Sequence, residues 1–284
     1  MFYKTEKDRI LILGGSGFIG HALYSELQSY FDVQATYCSQ SDFSNNRAYH
    51  FYQVEKGGLA ALLKSVRPSV IIAGLKGDYK AQVNAHLALT EYAVLNPTCS
   101  ILFLSSADVF SAKTLYPAYE NDTPLSTSEE GKFKISVEKI LLKTIPAQTA
   151  ILRLPLILGV NSPTVFHLRQ CIRHRARFEV FPNLVVSATT IKKVCQQIHY
   201  IINQSLSGIF HLASNNMMHH DELFMEITKK ISDQAPIFKS IYSSNDDRYN
   251  AILPKHNPLP KTYQITIEEV IAASSLSEEI VSAF

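Results

Sequence analysis

Gly14, Gly17 and Gly20 follow the apolar run Ile10-Leu11-Ile12-Leu13 at three-residue spacing and lead straight into Ala22-Leu23-Tyr24-Ser25-Glu26-Leu27. The run reads as a buried strand and the later stretch as a helix. Glycine permits the tight turn between them, close approach of backbone to a ligand, and close packing of helix on strand. The helix start then presents unpaired N–H groups and the positive end of its dipole to an anion. This order predicts a pyrophosphate site, and so dinucleotide binding, at Gly14, Ser16, Gly17, Phe18, Ile19 and Gly20.

Other reactive residue types are less telling. Cys171-x-x-His174 has no second ligand pair nearby, so no metal is expected. Cys38, Cys99, Cys171 and Cys195 are scattered, which suits free thiols in a reducing compartment. Arg169, Arg173, His174, Arg175 and Arg177 crowd one helical stretch. Arginine forks suit a nucleotide diphosphate, and Arg169 and Arg173 are candidate substrate ligands; a solvated helix face is the competing reading. His219-His220 before Asp221-Glu222 reads as a surface helix start.

The elements that must position these groups alternate through the first half. Strands are expected at 33–37, 49–54, 69–73, 100–105 and 147–154, and helices at 59–66, 79–95 and 131–144. Val83, Leu87 and Tyr92 are the expected apolar face of one helix, and Ile135, Ile140 and Leu141 of another. The alternation predicts an α/β fold, a doubly wound parallel sheet with helices on both faces, which binds ligands at the carboxyl ends of its strands. Tyr37, Ser39, Ala73, Gly74 and Pro155 then join the cofactor-binding set. Beyond Pro155 the pattern loosens into a helix at 164–177, a strand at 184–187, a helix at 191–203, a strand at 208–213, and helices at 219–232 and near the end. The expected division is a dinucleotide-binding domain over 1–158 that also receives segments near 184–213. A smaller interleaved substrate lobe takes 159–183 and 214–284.

Bulk properties narrow the class. At 284 residues the chain can bury a full core, and 46% hydrophobic with 18% charged residues excludes a disordered chain. A net charge of +2 gives no reason to expect nucleic acid. No apolar run approaches the ~20 residues of a membrane span, and Met1–Asp8 is charged and mixed, unlike a signal peptide. A cytoplasmic protein is expected.

The landmarks come in a recognisable order. Gly14-x-x-Gly17-Phe18-Ile19-Gly20 is followed by Val83-Asn84, by Leu104-Ser105-Ser106-Ala107-Asp108-Val109-Phe110, and by Tyr119-Glu120-x-Asp122. Leu152-Arg153-Leu154-Pro155-x-x-x-Gly159 and Gly208-Ile209-Phe210-His211-Leu212-Ala213 complete the series. The chain resembles the extended short-chain dehydrogenase/reductases over nearly its whole length, most of all the dTDP-4-dehydrorhamnose reductase group. The resemblance implies a Rossmann-type fold, a nicotinamide cofactor and a nucleotide-linked keto sugar, as in deoxysugar or surface-polysaccharide synthesis. A homodimer is compatible with it. It implies hydride transfer to a carbonyl, with a tyrosine giving the proton, a lysine beside it, and a hydroxyl holding the carbonyl oxygen. By position the hydroxyl is Ser106 and the lysine Lys134, which also binds cofactor, while Asp108 and Phe110 fall beside the substrate.

One element of that pattern is missing. Glu130 stands where the tyrosine belongs, in Glu130-Gly131-Lys132-Phe133-Lys134. A free glutamate, with a pKa of about 4.3, is only about one part in 500 protonated at pH 7, so such a residue suits the role of base rather than acid. Four readings stay open. The chain reduces a 4-keto sugar nucleotide with a phenol from Tyr116 or Tyr119; Glu130 is the base of an epimerase or dehydratase; the chain is a non-catalytic binding or regulatory protein; or Glu130 is a solvated first-turn residue favoured by the helix dipole. Cofactor choice is similarly open. Ala35-Thr36-Tyr37-Cys38-Ser39-Gln40 carries neither an acid for the ribose of NAD nor an arginine for the phosphate of NADP, and the absent acid tilts toward NADP.

Overall fold

Ile10 to Leu13 are almost wholly buried and form the middle of a seven-stranded sheet, as their unbroken apolarity requires. The structure, a computed structural model, describes residues 8–276 apart from Ser243. Its first half runs β1 (Arg9–Leu13), α1 (Phe18–Leu27), β2 (Asp32–Tyr37), β3 (Tyr49–Phe51), α2 (Leu59–Val66), β4 (Val70–Ala73), α3 (Tyr79–Leu95), β5 (Ser100–Ser106), α4 (Glu129–Thr144) and β6 (Thr149–Leu154). There follow β7 (Leu156–Leu158), α5 (Pro163–His174), β8 (Arg177–Val180), β9 (Leu184–Val186), β10 (Ala188–Thr190), α6 (Ile191–Asn203) and β11 (Gly208–His211). The last elements are β12 (Met218–His219), α7 (His220–Ile231), β13 (Ile237–Ser240), β14 (Arg248–Asn250) and α8 (Ile267–Ser274).

The sheet order is β11-β6-β5-β4-β1-β2-β3, and β5, β4, β1, β2 and β3 pair in parallel. This is the doubly wound Rossmann-like arrangement that the alternation predicts. The order reverses at β1, where the chain leaves first toward β3 and then toward β11, so the end of β1 is the switch point at which such sheets bind ligands.

The chain divides into two compact units. One comprises residues through Ser105, Glu129–Leu152 and Ile198–Ile209; the other comprises Ser106–Ser128, Arg153–Gln197 and Phe210 onward. The sequence-based division differs from this one at 106–128, 153–158, 184–197 and 210–213. Residues 106–128 belong to the second unit, and β9 pairs with β12 and β14 instead of joining the large sheet. Of the 184–213 stretch only β11 enters that sheet. The reason is local: Ala118 and Leu253 exchange backbone bonds with Ala251 and Ala118, so the loop after β5 is zipped to late chain.

The first unit's core joins Leu11, Leu13, Ile71, Leu89, Phe103, Val137 and Ile151. The second has its own core around Leu158, Leu168, Val180, Phe224, Ile267 and Val270.

Helix bounds match the apolar periodicity closely, but two buried faces do not. Along α3 the buried residues are Gln82, Ala85, His86, Leu89, Thr90 and Ala93, while Leu87 is 42% exposed. Polar residues can take this face because each makes a local hydrogen bond. Gln82 Nε2 donates to Gly77 O, His86 Nδ1 meets Gln82 O at 2.7 Å, and Thr90 Oγ1 donates to His86 O. On α4 the buried set is Gly131, Phe133, Val137, Glu138 and Leu141, so of the three expected residues only Leu141 is fully inside. The expected helix at 164–177 ends at His174, where Arg175 takes φ 48° and the chain turns into β8.

Candidate functional site

The glycine turn is built as its spacing requires. Gly14 has φ +87°, and a Cβ there would strike the carbonyl oxygen of Gly74 at the end of β4. A Cβ on Gly20 would strike Gly14 O and lie 2.8 Å from Gly15 Cα, so the missing side chain is what lets α1 sit directly on the turn. Gly17 caps α1 with no side chain. Among the described residues, no carbonyl or side chain takes the amides of Phe18 and Ile19, the first helical residues. Three other amides are engaged: Gly14 N donates to Thr36 Oγ1 at 2.9 Å, Gly17 N to Gly14 O at 3.1 Å and Ser16 N to Thr36 O at 3.1 Å. Of the six expected phosphate ligands, then, Phe18 and Ile19 keep free donors, while Gly14, Ser16, Gly17 and Gly20 shape the turn.

The residues fit a bound dinucleotide phosphate: a glycine-built cradle at the switch point, with unengaged helical amides at Phe18 and Ile19. Gly74, with Ala73 buried before it, forms the neighbouring wall. At the end of β2, Tyr37 packs edge-on against Phe51 at 5.7 Å, and Ser39 is exposed. No acid stands in the strand beyond Asp32, which is tied to Arg9 at 2.6 Å.

In the same unit, Lys134 and Glu130 lie one turn apart on α4 and form an ion pair at 2.9 Å. Lys134 is 15% exposed and Glu130 is 48% exposed. Glu130 is thus a half-exposed carboxylate held against a nearly buried lysine, an acceptor where the resemblance expects a donor. Below them Ser105 Oγ donates to the buried Glu138 Oε1 at 2.6 Å, which pins α4 to the end of β5. Asn84, one of the landmarks, is exposed on α3.

The second unit holds the remaining expected residues. Ser106 ends β5 and its Oγ lies 3.4 Å from Asp108 Oδ2. Phe110, expected beside the substrate, is 4% exposed and carries the Arg153 guanidinium on its face at 4.9 Å. Pro155 is buried after β6. Tyr116 is 79% exposed, whereas Tyr119 lies under Lys255 Nζ at 4.7 Å from the ring centre.

Arg169, the other expected substrate ligand beside Arg173, lies on α5. Its guanidinium donates to Leu276 O at 2.6 Å and to Ser274 O at 3.4 Å, closing the C-terminal end of α8. It holds a helix end, where a cation suits the exposed carbonyls. Arg173 is exposed on α5. The cations that do line a hollow in this unit, of about 590 Å³, are Arg177 and Lys239, beside His167, His220 and Phe178. Arg177 was in view as part of the arginine-rich stretch; Lys239 was not, because only the β13–β8 pairing brings it there.

A buried polar cluster also escaped the sequence reading, although Glu120, Arg153 and His211 are all landmarks. Glu120, 1% exposed, accepts backbone N–H groups from Lys255, His256 and Asn257. Burial would raise its pKa, but these donors outweigh it and hold the carboxyl below its usual range. Arg153 donates to Glu120 O and to His211 Nε2, and His211 Nδ1 donates to Leu253 O. Burial, with the Arg153 charge added, pushes the His211 pKa down to about 4, so the ring is neutral at pH 7.

Among the described residues no group of three or more His, Cys, Asp or Glu is arranged to hold a metal, and the neighbour of Cys171 is His167 at 3.6 Å instead of His174. No described helix is long and apolar enough to cross a membrane.

Comparison with known proteins places this geometry. A curated relative, methionine adenosyltransferase 2 subunit beta of Danio rerio, is 26% identical over 245 residues, covering 75% of this chain and 71% of its own. A dTDP-glucose 4,6-dehydratase of Bacillus anthracis solved with NAD superposes with a TM-score of 0.76 at 17% identity, covering 94% of this chain and 95% of its own. A dTDP-4-dehydrorhamnose reductase of the same organism solved with NADP gives 0.72 at 18% identity, covering 94% and 98%. These structural likenesses carry the fold. The profile of the RmlD substrate binding domain matches residues 8–262, from the first residue of the described chain past the Glu120 latch, and on that extent this chain belongs to the RmlD family of sugar-nucleotide reductase-like proteins.

Proposed function

We propose that this protein binds a nicotinamide dinucleotide at the glycine turn and reduces a 4-keto deoxysugar nucleotide, with NADP slightly favoured over NAD. The observation that carries the reading is the pair of unengaged amides at Phe18 and Ile19, set on a turn whose Gly14 and Gly20 leave no room for a Cβ. When bound, the nicotinamide supplies the hydride. Lys134 would hold the cofactor's ribose, and Ser106, with Asp108 beside it, would hold the carbonyl oxygen, which would take its proton from the phenol of Tyr116 or Tyr119. The hollow lined by Arg177 and Phe178 offers a guanidinium for the substrate's diphosphate, while Lys239 there is paired with Glu179 at 2.9 Å. Purified protein should oxidise NADPH with a dTDP- or GDP-linked 4-keto-6-deoxysugar. No turnover over a panel of such sugars would remove the reductase reading.

Glu130 supports two alternatives. As a base paired with Lys134 it suits an epimerase or dehydratase, in which the product sugar gains solvent deuterium and Glu130→Gln abolishes turnover. With a carboxylate where the proton donor belongs, Glu130 also suits a non-catalytic protein that binds cofactor and regulates a partner. That protein would bind NADPH, show no turnover, and acquire none of the pH dependence of a base. We place all three readings in the cytoplasm, in sugar-nucleotide metabolism for the first two.

A further inference from the structure

Thr36 is buried at the end of β2, on the face where strict alternation after Val33 and Ala35 would turn a residue outward. Its hydroxyl accepts the Gly14 N–H at 2.9 Å and its carbonyl accepts the Ser16 N–H at 3.1 Å. The two bonds bracket the first half of the glycine turn. Gly14 O in turn accepts Gly17 N, the residue that caps α1, and is the atom against which Gly20 packs. One threonine thus fixes both the φ +87° residue and the start of the helix. The backbone bond through Thr36 O would survive any substitution. The bond through Oγ1 depends on the side chain, and without it the Gly14 N–H has no acceptor in the turn.

We propose that the Thr36 hydroxyl is a positioning group for dinucleotide phosphate binding: it touches no phosphate and acts by holding Gly14 so that the amides of Phe18 and Ile19 stay in register. The inference rests on the reading of the turn as a dinucleotide site. A purely packing role would be met by valine, which has nearly the same shape and lacks only the hydroxyl.

The test is titration of the full-length parent, Thr36→Val and Thr36→Ser with NADPH and NADH, followed by cofactor fluorescence, with thermal unfolding alongside. Thr36→Val should weaken both dinucleotides about tenfold, the scale of one lost hydrogen bond, while Thr36→Ser stays within about twofold of the parent. Should Thr36→Val fail to fold, Thr36→Ser against Thr36→Ala makes the same comparison across one oxygen atom. Equal affinity of parent and Thr36→Val, or a serine variant as weak as the valine one, overturns the inference and leaves the functional reading standing. A parent that binds neither dinucleotide overturns both.

Discussion

Replacing His86 with leucine should leave the protein about as stable at pH 7.5 and make it markedly more stable than the parent at pH 5. His86 is 1% exposed, edge-on to Phe103 at 5.0 Å and to Phe133 at 6.1 Å. Its Nδ1 faces a carbonyl and must carry the proton, and among the described residues its Nε2 meets no partner. Burial lowers its pKa from 6.5 to about 4. The folded chain therefore binds this proton less readily than the unfolded chain, so unfolding takes protons up and acid favours unfolding. The contribution is complete above pH 6.5 and is lost as the pH falls from there toward 4. Between pH 7.5 and 5 the two pKa values correspond to a loss of about 2 kcal/mol for His86, and His211, also at about 4, adds a similar amount.

Leucine removes one hydrogen bond worth about 1 kcal/mol and one buried orphan nitrogen costing about as much, so the neutral-pH difference should be within about 1 kcal/mol. Thermal unfolding of both chains at the two pH values measures the effect, at about 2–4 °C per kcal/mol for a chain of this size. If parent and variant lose the same stability on acidification, His86 does not titrate as its burial demands and the reasoning fails.

Gly20→Ala should abolish dinucleotide binding in fluorescence titration and lower the unfolding temperature, because the new Cβ meets Gly14 O and lies 2.8 Å from Gly15 Cα. Glu120→Ala should cost about 1–3 kcal/mol in urea unfolding at pH 7, since it takes the buried acceptor from the N–H groups of residues 255–257. The depressed Glu120 pKa makes that contribution present above the normal carboxylate range and lost as the pH falls below it, so the gap between parent and variant should close in acid. Arg169→Met should lower stability by about 1–3 kcal/mol and leave nucleotide-sugar affinity unchanged in calorimetry, because its guanidinium holds the end of α8. Glu130→Gln should change stability by less than about 1 kcal/mol, as its ion pair is half exposed, so any collapse of turnover in that variant reports chemistry.

The sequence alone determined the parallel sheet, the glycine turn at the end of β1 and most helix limits. These follow from properties that a short stretch carries by itself: an unbroken apolar run must be buried on both faces, and glycines at three-residue spacing between strand and helix leave little else to form. It also determined that Glu130 stands one turn before Lys134, since helical spacing fixes that neighbourhood. Tertiary structure decided which polar groups go inside and what the cations hold. Nothing local distinguishes Arg169, tied to the end of α8, from Arg177, which lines the hollow; both depend on segments 60 to 107 residues away. The buried polar face of α3 was hidden because each of its polar side chains bonds a carbonyl of the same helix or its N-terminal turn, which offsets part of the cost of burial that hydropathy opposes. Thr36 and Glu120 illustrate the same limit: a threonine in a strand and a glutamate in a loop acquire their roles only when folding brings distant backbone N–H groups to them and removes water as the competing partner.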